Sequence, residues 1–241
     1  MRIENLKRLS KNVIDAKARA VLKHYSLTYF DNIVRPTPLI QIIEKAVRRG
    51  WLNYDDSSYL GYSPDGSRVL GCYVPDTRTI QIDSGLKDEE KRFNFVLAHE
   101  FAHFMLHRKV IFHEFEGEIL EDSETLLFGE SPKLKTDLQF MEWQANFFAS
   151  SIMLPRDMLF VKLRYIRREM GLPTRVYVDR QRCTQQDYHE TIQQLSDYFK
   201  MSKTVIEYRL QRFDLIDDRR IGKSVGAFID DLFKVHKQNR P

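Results

Sequence analysis

The chain has 241 residues, 42% of them hydrophobic and 30% charged, and a formal net charge of +4. That balance is ordinary for a folded globular protein able to bury a full core, and the charge is below what a dedicated DNA-binding protein tends to carry. No apolar run approaches the roughly eighteen residues that span a bilayer, and Cys72 and Cys183 form neither a CxxC metal site nor a disulfide framework. The segment MRIENLKRLSKN carries charges throughout and lacks the apolar block of a signal peptide, so the expected setting is reducing and cytoplasmic, with no membrane partner.

Residues 3–25 read as an amphipathic helix, with Ile3, Leu6, Leu9, Val13, Ile14, Ala18, Val21 and Leu22 recurring on one side. Thr37-Pro38 opens a second helix, Leu39 to Arg48, which Gly50 ends. Both read as cover for a core. Between Tyr59 and Ile82 the period changes. Val69 to Val74 and Thr79 to Ile82 are short apolar or alternating runs, set off by the turn signals Pro64-Asp65-Gly66 and Pro75-Asp76-Thr77. A small antiparallel meander is expected, with Thr79 to Ile82 as its candidate edge strand.

Arg92 to Leu106, RFNFVLAHEFAHFML, follows the acidic run Lys87-Asp88-Glu89-Glu90, and acids suit the positive end of a helix dipole. Phe93, Val96, Leu97, Phe101, Phe104 and Met105 recur at helical spacing. As a helix, the segment puts His99 and His103 one turn apart on one face, where two imidazoles can close on a single metal ion. Glu100 then sits beside that ion, where a carboxylate can take a proton from bound water. The alternative for these five residues alone is a structural helix whose histidines are hydrogen-bonded or exposed. His107 continues the series, but at 1.5 Å per residue its Cα lies about 12 Å along the axis from that of His99, too far for one ion to take all three. It reads as a helix-end or supporting residue, and His113 and His189 read as incidental. Residues 113–135 are acidic, with Glu114, Glu116, Glu118, Glu121, Asp122, Glu124 and Glu130 against two lysines; they form either a solvated surface or a lid that selects basic segments.

A hydrolytic zinc site takes three protein ligands and keeps one position open. The third must come from further along the chain. Asp137 to Leu154, DLQFMEWQANFFASSIML, reads as a helix opened by a Thr136/Gln139 capping box and closed by Pro155. Within its apolar sequence Glu142 and Asn146 are polar exceptions one turn apart. A carboxylate among aromatics is costly unless paired or metal-bound, which makes Glu142 the candidate third ligand and Asn146 the group that holds a ligand imidazole in its tautomer.

Together, RFNFVLAHEFAHFMLH and EWQANFFASSIMLP resemble the ImmA/IrrE family of metallopeptidases, whose members carry A-H-E-x-x-H and, downstream, E-x-x-A-N-x-F-A before a short apolar run and proline. The resemblance spans about Thr77 to Pro155. It implies an α+β, zincin-like (gluzincin-type) domain with a small antiparallel sheet, His99, His103 and Glu142 as Zn2+ ligands, and Glu100 as the catalytic base. Ala102 stands where many members have glycine. It further implies an endopeptidase that cuts a regulatory protein, such as a transcriptional repressor encoded nearby. In peptidases of this plan an edge strand beside the cleft pairs with the substrate backbone; Thr79 to Ile82 either does this or only completes the sheet.

Beyond Pro155 the chain is basic. A helix from Pro155 to Met170, bearing Arg156, Lys162, Arg164, Arg167 and Arg168, ends at Gly171, and a linker, Leu172 to Arg182, follows. Thr184 and Asp187 offer another capping box. Ile192 to Leu215 reads as two short helices joined at Lys200-Met201, with Ser202 capping the second and Leu195, Tyr198 and Phe199 facing Val205, Ile206 and Leu210. That is the organisation of a helix-turn-helix, as family members often carry here, though Lys200 takes the turn position where glycine is usual. If the pair binds DNA, Lys203, Thr204, Tyr208 and Arg209 face the groove, with Glu207 opposing. The alternatives are docking a partner protein or packing on the metal-binding domain. A last helix is expected from Val225 to His236. The expected division is a metallopeptidase domain, 1–170, and an all-helical C-terminal region, 171–241. The competing reading of the whole is a regulator that keeps the metal as a structural or sensing centre and acts through the helical pair.

Overall fold

The computed structural model describes residues 5–26, 34–63, 66, 68–110 and 136–220. The acidic segment 113–135 with His113, the start of the expected first helix at Ile3, and the expected helix 225–236 lie outside these residues.

Polar caps set several helix starts. Helix α1 (Lys11–Tyr25) begins where the Ser10 side chain accepts from the Val13 N–H, a contact that contributes about 1 kcal/mol. It therefore starts later than the apolar periodicity suggests. Leu6 and Leu9 precede it, Leu6 packing by Val110 and Met141 while the Leu9 N–H donates to the buried Gln144 Oε1. Helix α2 (Leu39–Arg48) spans the residues expected, and Gly50 follows it at φ +68°.

Three strands come next: β1 (Asn53–Asp55), β2 (Gly71–Val74) and β3 (Thr79–Ile82), in the spatial order β1-β3-β2. Two expectations are corrected here. Strands β2 and β3 are antiparallel, but β1 runs parallel to β3, so the sheet is mixed. Thr79 to Ile82 is the central strand, and the two edges are β1 and β2. The cause is β1, three residues with no alternation to read, which pairs with Thr79, Ile80 and Gln81 and covers the side expected to be free.

Helix α3 (Glu90–Ala102) has Glu90 in its first turn and runs into a π-helical turn, His103–His107. Helix α4 (Asp137–Met153) opens where Thr136 accepts from the Gln139 N–H. Pro155 separates it from α5 (Arg156–Glu169). Ala98, Ala102, Ala145 and Ala149 are all fully buried, and such small side chains let helices approach closely.

The C-terminal region is not all-helical. Strand β4 (Val176–Val178), within the expected linker, pairs in parallel with β5 (Ile216–Asp218), beyond α6 (Arg182–Phe199) and α7 (Lys203–Arg212). Thr184 is no cap, because α6 begins before it; its hydroxyl instead donates to Asp179 Oδ1 at 2.6 Å. The α6–α7 turn follows expectation more closely: Lys200 takes the left-handed conformation (φ +55°), and Ser202 accepts from the Val205 N–H.

One hydrophobic cluster runs from Ile14 and Leu22 through Phe101, Phe147 and Ile152 to Leu195, Val205 and Leu210. Helix α7 packs into it, which corrects the expected groove-facing set. Arg209 is 1% exposed and Tyr208 packs edge-on against Phe147. The Arg209 guanidinium donates to Asp15 Oδ1 at 3.0 Å, Ser151 Oγ at 3.1 Å and the Leu154 carbonyl at 3.2 Å, and lies over the Phe213 ring. Charge pairing with Asp15 on α1 and hydrogen bonds to Ser151 and Leu154 at the end of α4 hold this side chain inside. The turn between α6 and α7 is held to the start of α3: Asn94 donates to the Lys200 carbonyl, Lys200 pairs with Glu90, and Lys91 pairs with Asp197.

Candidate metal centre

His99, Glu100 and His103 come from α3 and its π-helical continuation, and Glu142 and Asn146 from α4; all five are buried. The i, i+4 spacing on α3 stacks the two imidazoles, with ring centroids 4.8 Å apart. Their Nε2 atoms approach to 3.0 Å. Glu142 Oε2 lies 3.2 Å from His99 Nε2 and 3.5 Å from His103 Nε2. One ligand atom from each of the three residues therefore falls within 4.8 Å of the others.

On the far side of His99, Nδ1 lies 2.8 Å from Asn146 Oδ1. An amide oxygen only accepts, so Nδ1 carries the proton and Nε2 presents its lone pair to the group. Among the described residues Glu142 Oε2 is buried with no hydrogen-bond partner. Two imidazole nitrogens and a carboxylate oxygen, converging with that oxygen unsatisfied, are a donor set that can hold a divalent metal ion. The residues fit a metal ion.

Electrostatics follow from the packing. Burial pushes the Glu142 carboxyl up, but the His103 and His99 imidazoles that face it outweigh burial and hold the group at about 2. Burial pulls His99 down, while the facing Glu142 carboxylate and the charge of Glu100 raise it above its ordinary value. For Glu100 burial is the largest effect and lifts the carboxyl above its ordinary value, against the pull of His99 and His103. A carboxylate raised in this way is a better proton acceptor than one in water.

Two contributors were missed in the sequence. The Tyr73 backbone N–H faces the Glu100 carboxylate and works against the effect of burial on it, so β2 takes part in the site where β3 was expected. Gly71 lets that strand approach: a Cβ there would stand 2.8 Å from Val96 Cγ1 and 3.0 Å from Glu100 Cγ. A lone glycine in a strand run is a sequence sign of such close approach. His107, read from the sequence as a helix-end or supporting residue, is buried with its Nδ1 3.3 Å from that of His103. His189 is exposed.

The family model described as IrrE N-terminal-like domain (Peptidase_M78) matches residues 55–211, more than half of the chain. The chain belongs to this family. The match begins in β1, covers the whole metal-binding group and reaches into α7, so both helices of the α6–α7 pair fall within the IrrE N-terminal-like region. A comparison with curated proteins finds no match. Membership of a peptidase family and the buried His99, His103 and Glu142 group together point to a metallopeptidase with a protein substrate. Among the described residues no helix is long and apolar enough to cross a membrane.

Proposed function

We propose that the chain is a zinc-dependent endopeptidase of zincin-like, gluzincin-type plan that cuts a regulatory protein, such as a transcriptional repressor encoded beside it, in the cytoplasm. The observation that carries this reading is the place of Glu100, a buried carboxylate beside three converging metal donors. His99, His103 and Glu142 would hold the ion, and Asn146 keeps His99 in the tautomer that ligation needs. When bound, zinc would act as a Lewis acid on the scissile carbonyl and on the attacking water. Glu100 would accept that water's proton and pass it to the leaving amine. The Tyr73 N–H faces the carboxylate, and burial excludes competing solvent. Cys72 and Cys183 are free thiols, in keeping with a reducing compartment.

A DNA-directed role for the helical pair is the weaker reading. Tyr208 and Arg209 are engaged in packing, which leaves Lys203 and Thr204 of the four side chains that would face a groove. The test is incubation of the zinc-loaded protein with the product of the neighbouring gene, with and without chelator. Discrete, chelator-sensitive fragments are expected, and Glu100→Gln should bind zinc yet release none of them. Cleavage by Glu100→Gln at the wild-type rate would remove the base from the mechanism; an intact partner under all conditions would favour the non-catalytic regulator.

A further inference from the structure

Asn146 accounts for one ligand imidazole, and the other needs an equivalent. His103 turns Nε2 toward His99 Nε2 and Glu142 Oε2. A ring that offers Nε2 as a lone pair carries its proton on Nδ1, and a buried N–H requires an acceptor. The atom within reach is Nδ1 of His107, 3.3 Å away, with the two rings 5.0 Å apart and tilted by 59°. His107 is buried, on the last position of the π-helical turn that begins at His103.

If its Nδ1 accepts, the proton of His107 sits on Nε2. That atom is buried and has no hydrogen-bond partner among the described residues. Burying a donor unsatisfied is unfavourable, and leucine would fill the same space without the penalty. Packing alone therefore does not explain an imidazole here, whereas an acceptor aimed at His103 does. The π-helical turn is itself a departure from regular helix of the kind that recurs at functional sites.

We propose that His107 is a positioning residue: through Nδ1 it accepts the Nδ1–H of His103, fixes the tautomer and ring angle of that ligand, and so sets the affinity of the site for zinc. The proposal rests on the metal-centre reading above, but not on turnover. Its test compares zinc affinity, measured at fixed pH by competition with a chromophoric chelator, in wild type, His107→Leu, His107→Asn and His107→Gln. Asparagine puts an oxygen near the place of Nδ1, and glutamine puts one near Nε2. Outer partners of ligand imidazoles typically set metal affinity by about ten- to a hundredfold. His107→Leu and His107→Gln should lose affinity on that scale, with His107→Asn within about threefold of wild type. If His107→Leu does not fold, the Asn and Gln pair decides. Equal affinity in those two, or a loss below about fivefold in both His107→Leu and His107→Gln, overturns the proposal. Graded affinity without any cleavage would sink the peptidase reading and leave this one standing; a wild-type protein that takes up no zinc removes both.

Discussion

Replacing Gly71 with alanine probes how closely the sheet is pressed onto the catalytic helix. The added methyl would lie 2.8 Å from Val96 Cγ1, 3.0 Å from Glu100 Cγ and 3.2 Å from the Gln81 carbonyl oxygen. Carbon atoms pack at about 3.5–4.0 Å, so the first contact is short by roughly 0.7 Å. Val96 is β-branched and buried, and Gln81 O belongs to the neighbouring strand, so neither yields readily. Overpacking of this kind typically costs about 1–3 kcal/mol. For a chain of this size that lowers Tm by about 2–4 °C per kcal/mol. Relief by moving β2 would also pull the Tyr73 N–H from Glu100, and a misplacement near 1 Å can slow catalysis by about a hundredfold. Zinc content should stay at the wild-type level, since His99, His103 and Glu142 come from the two helices. Urea unfolding of Gly71→Ala, Val96→Ala and the double variant measures the contact itself: the double variant should be more stable than additivity predicts by about 1 kcal/mol or more. Strict additivity, or a Gly71→Ala protein with unaltered stability and rate, would show that the strand does not press on Glu100.

Asp15→Ala would leave the Arg209 charge buried beside Ser151 and Phe213, which costs about 3–5 kcal/mol, while Asp15→Leu with Arg209→Met should lose less than half as much; the order is read by urea unfolding and refuted if the two are equal. Burial pushes the Asp83 carboxyl up, but the Leu60 and Gly85 N–H groups and Arg68 outweigh it and hold it below the usual carboxylate range. Its contribution is therefore complete above the unfolded pKa near 3.9 and lost as pH falls through the lower folded value, so the deficit of Asp83→Asn, about 1–3 kcal/mol at pH 7, should narrow only below about pH 4. A deficit that does not change with pH would contradict this. At Lys200, held at φ +55°, glycine should be about 1 kcal/mol more stable than alanine, since both lose the Glu90 pair and only alanine keeps the left-handed strain; equal unfolding midpoints would argue against it.

The candidate site was legible because its signals are local. His99 and His103 share a face through helical spacing, and Glu142 stood out as a charge inside an apolar helix; the convergence of the three follows once α3 packs on α4. The Thr136 and Ser202 caps were legible for the same reason, each being a hydroxyl at the residue before its helix. What escaped depends on partners distant in the chain. Strands of three residues, such as β1 and β4, carry no period, and β4 finds its mate only in Ile216–Asp218. Chain order does not determine sheet order, so the edge was placed on β3. Arginine is expected outside, and nothing near Arg209 announces that Asp15 will meet it. His107 was legible as a helix-end or supporting residue, but sequence spacing does not show that its ring meets that of His103.

The tie between Asp15 and Arg209 bears on the order in which the molecule can be completed. During synthesis every candidate ligand leaves the ribosome well before the guanidinium that pairs with Asp15, so a nascent polypeptide ending after α5 has its donors in hand and its latch still unmade. The latch can close only once the last helix of the matched region has emerged.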